Sequence, residues 1–367
     1  MGLEEHHFPC ENCGSDLRYE PGEERLICDH CGNVQAIESG PWQRSGAVEE
    51  LDLRAALRAG IGTAEMEETQ TSNCPNCGAR VEFDPAVHAK ECPYCATPVV
   101  TGTGASRQIK PKGVVPFELS EALARDAMTE WLGSLWFAPS GLLEYARKGR
   151  AMAGVYTPCW TFDADTQSAY RGQRGTVYHE RKSVTRNGKR ETVRVSKVRW
   201  KRVQGRVSRF FDDVLVVAST ALPEKFRRTL VNWDLTRLEP YQPEYLAGFR
   251  AEAYTIELED AFGEARAIMD RQILRDVKFD IGGDRQRVDD VDTRLSDMTF
   301  KHVLVPVWLA AYKFRGKSYR FVVNGQTGQV SGERPWSAFK IGLAVIAGLI
   351  VAAVAGYLYA EGHFQVQ

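Results

Sequence analysis

Eight of the nine cysteines fall into four Cys-x-x-Cys pairs, and these are the residues of the sequence most able to do chemistry. A Cys-x-x-Cys turn brings two thiolates to one ion, and two such turns complete a tetrahedral four-cysteine site. Fourteen residues separate the first pair from the second, and fourteen again separate the third from the fourth. The repeated spacing predicts two structural Zn²⁺ ions, because four protein ligands leave no open position. The predicted ligands are Cys10, Cys13, Cys28 and Cys31 for one ion, and Cys74, Cys77, Cys92 and Cys95 for the other.

Other uses of the four pairs are redox-active dithiols and an iron–sulfur cluster. A redox pair belongs beside a βαβ unit, which the sequence does not indicate. Disulfides need an oxidising compartment. The first ten residues, MGLEEHHFPC, are acidic and contain no apolar run, so they predict no cleavable export signal. We therefore expect reduced cysteines that bind metal.

The formal net charge of −1 hides a strong asymmetry. Residues 1–108 contain 8 Lys and Arg against 18 Asp and Glu, and each Zn²⁺ with four thiolates adds about two negative charges. Nucleic acid attracts the opposite sign. The two cysteine modules are therefore expected to be protein-docking modules rather than readers of DNA.

The positive charge is concentrated in residues 171–209, which contain 14 Lys and Arg and two acidic residues. Alternation of basic residues with valine and tryptophan predicts a half-buried strand, and Asn187-Gly188 predicts a hairpin turn. The candidate basic surface consists of Arg181, Lys182, Arg186, Lys189, Arg190, Arg194, Lys197, Arg199, Lys201 and Arg202.

Three uses of this basic hairpin compete. Anionic lipid or an acidic protein surface comes first, since each charge near a membrane contributes about 1 kcal/mol. The acidic surface could also be the N-terminal half of the same chain. A solvated face comes second. Binding of RNA or DNA comes third.

A membrane span is predicted over residues 341–359, which contain no charged residue. At about 1.5 Å per residue the run matches the thickness of the hydrocarbon core. Arg334 and Lys340 precede it and only Glu361 follows, so the positive-inside rule keeps the N-terminal bulk in the cytoplasm. A buried core helix is the alternative, but such a helix is rarely apolar on every face.

No catalytic constellation is evident, and we expect a protein that is not an enzyme. Gly316-Lys317-Ser318 resembles the end of a phosphate-binding loop, but Ala311 stands where its first glycine is required. The ninth cysteine, Cys159, is expected to be a buried small hydrophobe. A nucleophile paired with His179 or His302 is the alternative.

The remaining pattern predicts an α+β fold. Helices are expected at 49–59, 120–135 and 257–278, and strands at 155–162, 192–203, 214–218, 303–314 and 319–323. A second hairpin turn is expected at Asn324-Gly325. The segment VYTPCWTFDA (155–164) resembles VLVPVWLAAY (303–312), as two related strands neighbouring in one sheet would. The expected domains are a first zinc ribbon at 1–38, an acidic connector with a short helix at 39–70, a second ribbon at 71–100, an α+β domain at 114–334 that carries the hairpin 171–209, and the span at 341–359.

The sequence resembles a bacterial family of membrane-anchored TFIIB-type zinc-ribbon proteins, which are often labelled as primosomal protein N′ or helicase-like. The likeness rests on the Cys-x-x-Cys-Gly turns, on GVYTPCWTFDA (154–164), on VSRFFDDVLVVAS (207–219) and on residues 302–335. The motor motifs of a helicase are missing. The resemblance implies a scaffold at the bacterial inner membrane, working beside flotillin-like and phage-shock PspA-type proteins in the response to membrane stress.

These observations predict a non-enzymatic adaptor, anchored by one C-terminal span, that presents protein-interaction modules at the cytoplasmic face of the membrane. The alternative is a membrane-tethered nucleic-acid-binding protein that uses residues 171–209. Salt-dependent retention on anionic vesicles, compared with retention on DNA, distinguishes the two.

Overall fold

The computed structural model describes residues 8–37, 48–62, 65–82, 89–95, 97–100, 104–139, 152–186, 189–229, 232–314 and 317–360. Over these residues the fold is mixed α and β, with a large sheet at its centre. Two cysteine-rich clusters lie in the N-terminal part, and one apolar helix lies near the C-terminus. The expected α+β class is confirmed at this level.

The strands are between two and 34 residues long. In chain order they are β1 (Leu17–Tyr19), β2 (Arg25–Cys28), β3 (Val34–Ala36), β4 (Leu51–Asp52), β5 (Met66–Asn73), β6 (Arg80–Glu82), β7 (Ala89–Glu91), β8 (Pro98–Val100), β9 (Gly104–Ile109), β10 (Gly113–Val114), β11 (Ala153–Arg186), β12 (Lys189–Val217), β13 (Glu239–Pro240), β14 (Arg250–Ala251), β15 (Arg285–Phe314), β16 (Lys317–Asn324) and β17 (Val330–Gly332). The α-helices are α1 (Leu53–Ala59), α2 (Glu121–Ser134), α3 (Glu224–Thr229), α4 (Leu258–Ile281) and α5 (Ala338–Ala360).

Three long antiparallel strands, in the order β12-β11-β15, form the axis of the central sheet. The related segments noted in the sequence are neighbours in it, since Cys159 lies opposite Val303. The strands expected at 155–162, 192–203, 214–218 and 303–314 all exist but are parts of much longer ones. At about 3.3 Å per residue, β11 is about 110 Å long.

Helix α4 covers one side of these long strands, which we call the helix face. Its buried residues recur every three or four positions, so they form one stripe along the helix. The stripe comprises Leu258, Ala261, Ala265, Met269, Ile273, Val277 and Ile281. The helix expected at 257–278 is thereby confirmed, and the stripe packs on strand residues such as Tyr170 and Phe211.

The thick end of the sheet, where β11 begins, is covered on both sides. Residues 304 and 308 of β15 belong to the buried cluster that contains β1, β2 and α2. The alternate residues 303, 305, 307 and 309 belong to a different cluster, which contains Cys74, Cys92 and Tyr94. Because successive strand residues point to opposite faces, the first cysteine module packs on one side of the sheet and the second on the other.

The hairpin expected at Asn324-Gly325 exists between β16 and β17, but the prediction of a two-residue turn is wrong. Neither residue has a positive φ, and Gly328 instead adopts φ +73°. The Asn324 side chain accepts hydrogen bonds from the amides of Gln326 and Thr327, which holds a longer loop. Gly325 is required for close packing, since a Cβ there would lie 2.7 Å from the Phe117 ring.

A buried ion cluster ties the connector to the sheet. Lys301, with 6% of its side chain exposed, lies 2.9 Å from Glu50, 3.3 Å from Asp163 and 2.8 Å from Asp213. Burial opposes the charge, but the bonds to Asp213 and Glu50 raise the pKa of Lys301. Asp213 has φ +50° at a register shift in the β11–β12 pairing, so backbone irregularity and ion pairing meet at this point.

Candidate metal centres and a basic arm

The first cysteine cluster is built from two turns at the ends of the β1–β2 hairpin. The Cys10 amide donates to the Ser15 carbonyl at 2.7 Å, and the Gly14 amide donates to the Cys10 carbonyl at 2.8 Å. Gly14 has φ +74°, a conformation that favours glycine. The second turn repeats this pattern from Cys28. The Sγ atoms of Cys10 and Cys31 lie 3.6 Å apart, which brings the two turns together.

The second cluster has the same local geometry on the other side of the sheet. The Cys74 amide donates to the Ala79 carbonyl at 2.8 Å, and Gly78 has φ +74°. Its sulfur pairs are Cys74 with Cys95 at 3.5 Å, and Cys77 with Cys92 at 3.6 Å. In each cluster all four sulfurs lie within 4.8 Å of one another.

These distances fit a four-thiolate metal site. A disulfide would need sulfurs about 2.05 Å apart, whereas none of the nine cysteines forms a disulfide. Metal–sulfur bonds of about 2.3 Å in a tetrahedron place the sulfurs about 3.8 Å apart, close to the pair distances found. Both cysteine groups of the sequence can therefore hold a metal ion, and each offers it a complete set of protein ligands.

Each cluster is joined to the central domain through a tyrosine that sequence reasoning did not single out. In the first module, Tyr19 packs on Tyr245 with ring centroids 5.5 Å apart, and its amide donates to the Ala247 carbonyl at 2.9 Å. In the second module, Tyr94 lies between the ligands Cys92 and Cys95 and is buried. An aromatic residue inside a Cys-x-x-Cys turn is the signal that could have found Tyr94.

The Tyr94 hydroxyl donates a hydrogen bond to the carboxyl of Glu252, which is buried in the domain. The same carboxyl accepts from the Ser219 hydroxyl at 2.6 Å. Burial raises the pKa of Glu252 to about 8, although both hydrogen bonds oppose the shift. A protonatable carboxyl is thus hydrogen-bonded to the tyrosine that lies between two cysteines of the second cluster.

The expected basic hairpin is a long two-stranded arm. Strand β15 begins at Arg285, opposite Gly175, so β11 and β12 continue beyond that point as a pair. Thr176 lies opposite Arg199 at the base of the arm, and Arg186 lies opposite Lys189 at its end. The arm is about 35 Å long at 3.3 Å per residue. The turn itself, 187–188, lies outside the described residues.

The pairing register of β11 and β12 shows on which face of the arm each basic residue lies. Residues directly opposite one another share a face, so Arg181, Arg190, Arg194 and Arg202 lie on the side away from α4. Lys182, Lys197, Arg199 and Lys201 lie on the helix face. The predicted basic surface is thus divided between two sides.

Arginines that the sequence analysis did not select extend the side away from α4. Together they form what we call the arginine face, a row of nine exposed arginines over the arm and the three-stranded region behind it. They are Arg171, Arg181, Arg190, Arg194, Arg202, Arg206, Arg285, Arg287 and Arg294.

Few acidic residues balance this face. Asp165, Asp290 and Asp292 share it by register, and Asp290 pairs with Arg171 at 2.9 Å. On the arm itself Arg181 lies directly opposite Arg194, and like charges in that position are destabilising. The arginine face therefore carries a net positive charge.

Helix α5 is the apolar segment expected at 341–359, and it extends over Ala338–Ala360. Among the described residues, one helix is long and apolar enough to cross a membrane, and the window Ala338–Tyr357 has no buried residue in the fold. The Ser337 amide, just before the helix, donates to the Phe137 carbonyl at 2.9 Å. Helix α5 therefore begins beside the end of α2.

The root of α5 and the tip of the arm lie at opposite ends of the sheet. Trp131 of α2 packs edge-on against Phe321 of β16 at 5.6 Å, and β16 pairs with residues 307–314 of β15. The arm leaves the sheet at Gly175, at its other end. The root of α5 and the tip of the arm are therefore separated by the length of β11, about 110 Å.

The structure places Cys159 apart from both histidines that could have activated it as a nucleophile. Cys159 lies opposite Val303, whereas His302 lies opposite Trp160 on the other face of the sheet. His179 is in the arm. Burial raises the pKa of the Cys159 thiol and lowers that of His302 to about 4. Cys159 is thus a buried apolar residue, and it has neither histidine as a base.

Comparison with known proteins adds one relative. The chain is similar to the uncharacterized protein YdjG of Bacillus subtilis (strain 168), with 25% identity over 337 residues, covering 91% of each chain. No protein-family model matches the sequence. No solved structure matches it.

Proposed function

We propose that this chain is a non-enzymatic scaffold anchored in a bacterial inner membrane by α5, and that it binds an acidic protein surface through its arginine face. The N-terminal bulk lies in the cytoplasm. Two structural Zn²⁺ ions hold the cysteine modules. By resemblance, the partners belong to the PspA-type or flotillin-like proteins of the membrane-stress response.

The observation that carries this proposal is the asymmetry of the arm. Its outer side has Arg181, Arg190 and Arg194 with no acidic residue among the described positions, whereas the helix side pairs Lys197 with Glu180. Arginine is the cation best suited to planar carboxylates. A row of unneutralised arginines on a protruding ribbon favours recognition of an acidic surface.

The position of the anchor favours a partner other than the lipid surface. Lipid contact by the whole arm would require the long axis of the sheet to lie parallel to the membrane, because α5 begins at the opposite end. An arm held away from the bilayer is free to reach a soluble or peripheral protein.

Zinc is the metal proposed for both four-cysteine centres. It favours tetrahedral thiolate sites and needs no redox change or open coordination position. Its role is structural, since each cluster is continuous with a buried core of the sheet. Elemental analysis of the purified full chain should find two zinc ions per chain, and iron or an absence of metal would contradict this assignment.

The scaffold proposal is tested with two charge-matched variants of the full chain. The arginine-face variant carries R181Q, R190Q and R194Q, and the control carries K182Q, K197Q and R199Q on the opposite side. Each removes three positive charges from the same arm. Both variants should retain the melting temperature and the membrane association of the wild type.

The variants are compared by cross-linking in native membranes, nuclease treatment, affinity capture and quantitative mass spectrometry. Acidic proteins captured by the wild type should fall roughly tenfold or more with the arginine-face variant, because each lost contact contributes about 1 kcal/mol or more. The control should lose much less. Equal capture by both variants would refute the role of the arginine face.

Nucleic acid is the second candidate, favoured by the two-stranded form of the arm. A two-stranded ribbon fits the major groove of B-DNA, and arginine binds phosphate and guanine well. Fluorescence anisotropy of a labelled duplex, measured between 50 and 200 mM salt, separates this case. Tight binding that falls steeply with salt and is lost in the arginine-face variant would replace the acidic protein as the partner.

A further inference from the structure

A second feature of the molecule is suited to contact the membrane: the loop that follows α2, residues 135–139. Trp136, in this loop, has 80% of its surface exposed. Large apolar side chains exposed to this degree are unfavourable in water, and clusters of them mark interaction sites.

The loop that carries Trp136 contacts the start of the apolar helix α5. Its Phe137 carbonyl accepts the hydrogen bond from the Ser337 amide at 2.9 Å, and the ring of Phe137 lies 6.4 Å from that of Trp336. Phe137 and Trp336 line an apolar niche with Ile341, Ala344 and Val345 of α5. The loop is therefore attached to the first two turns of the apolar helix.

The depth of the loop follows from the same contacts. Val345 lies seven residues after the start of α5 at Ala338, which corresponds to about 10 Å along the helix axis. Two further aromatic residues are exposed at the start of α5, Trp336 at 59% and Phe339 at 80%. The guanidinium of Arg334 lies 4.3 Å from the Trp336 ring centre. Tryptophan and arginine at the end of an apolar span are typical of the membrane–water interface.

We propose that the loop formed by residues 135–139 is a second membrane contact, with Trp136 inserted among the lipid headgroups of the leaflet in which α5 begins. This inference rests on the proposed anchoring by α5. With two attachments, the body cannot rotate freely about the start of α5. The sheet, and the arm at its far end, then keep a fixed orientation to the bilayer.

The test uses the full chain reconstituted in vesicles of phosphatidylcholine and phosphatidylglycerol. Part of the lipid is brominated near the carboxyl end of the acyl chains, where bromine quenches nearby indoles. The chain has eight tryptophans. Three proteins are compared: the wild type, W136F and W200F. The control W200F removes an indole from the base of the arm, at the other end of the sheet.

The amount of emission quenched by brominated lipid should fall roughly twofold in W136F, because Trp136 and Trp336 are the exposed indoles beside α5. It should be unchanged in W200F. Trp136 packs on little, so the melting temperature of W136F should match that of the wild type and exclude misfolding as the cause.

Each other result overturns the inference in a recognisable way. If W136F is quenched as strongly as the wild type while the chain floats with the vesicles, the loop is not in the interface although the anchor holds. If the wild-type chain does not float with the vesicles, the anchor itself fails and the loop contact fails with it.

Discussion

Glu252 should make the stability of the protein depend on pH in a direction unusual for a carboxyl group. Its folded-state pKa is about 8 because of burial, whereas a glutamate in an unfolded chain has a pKa of about 4.3. The folded state therefore holds a proton that the unfolded state releases. The stabilisation from this proton is fully present below pH 4.3 and is lost as the pH rises through 8.

The size of the effect follows from the two pKa values. Between pH 6 and pH 8 the contribution of Glu252 to the free energy of unfolding should fall by about 2 kcal/mol. For a domain of this size, that corresponds to a decrease in melting temperature of roughly 4–8 °C. Glutamine has nearly the same shape and does not titrate, so E252Q should lack this decrease.

The assay is thermal unfolding of the full chain in detergent, followed by intrinsic fluorescence at pH 6, 7 and 8. Metal binding to the cysteine clusters would become stronger over the same pH range as thiols deprotonate, but it would do so in both proteins. The quantity of interest is therefore the difference between wild type and E252Q at each pH. A difference that does not change with pH would refute the protonated state of Glu252.

A companion variant tests the hydrogen bond between Tyr94 and Glu252 separately from the protonation of Glu252. Y94F removes the hydroxyl that donates to Glu252 and should cost about 1–3 kcal/mol, because a buried carboxyl oxygen is left without its hydrogen-bond partner. The exposed Tyr178 of the arm provides the control, since Y178F should change the free energy of unfolding by less than about 0.5 kcal/mol. Equal stability of the two variants would contradict the buried contact.

Three further outcomes are expected. C92S should lose one of two metal ions and lower the melting temperature by at least about 10 °C, because metal binding contributes to folding, whereas C159A should retain both ions by elemental analysis. K301M should lose about 3–5 kcal/mol of unfolding free energy in denaturant titration, since three carboxylates are left around a buried site, whereas K278M on the exposed side of α4 should be near neutral. A chain lacking residues 338–360 should remain in the supernatant when membranes are pelleted, and its sedimentation with them would contradict the anchor.

The parts of the molecule that local pattern determines could be predicted from the sequence. Each cysteine cluster is specified by turns of a few residues, so the spacing alone groups the right sulfurs. The buried stripe of α4 follows from its 3.6-residue period, since Ala265, Met269, Ile273 and Val277 recur every four residues and are buried. The apolar run of α5 follows from composition.

The polar half of β15 could not be predicted, because its apolar residues imitate a helix. Val288, Val291, Leu295 and Met298 are spaced by three, four and three residues, yet all pack on the side of the sheet that faces α4. Register shifts in β15 add a residue between the first two and between the last two. An added residue in a strand changes a spacing of two into three, which removes the period that identifies a strand.

The arginine face was missed for a related reason. Its members come from three strands, and Arg285, Arg287 and Arg294 lie far along the chain from the basic segment. A count of charge along the sequence finds the segment but not the side of the sheet on which each side chain lies. That side depends on the pairing register, which only the folded sheet defines.

The support of the arm explains how the N-terminal modules can influence a surface far from them. A two-stranded ribbon alone is marginally stable in water, so the arm depends on the three strands and α4 behind Gly175. Those strands are held at their thick end by one cysteine module on each side. Loss of either metal would therefore release one side of the base from which the arm extends. Any effect of the acidic modules on the basic arm would therefore be transmitted through the sheet between them.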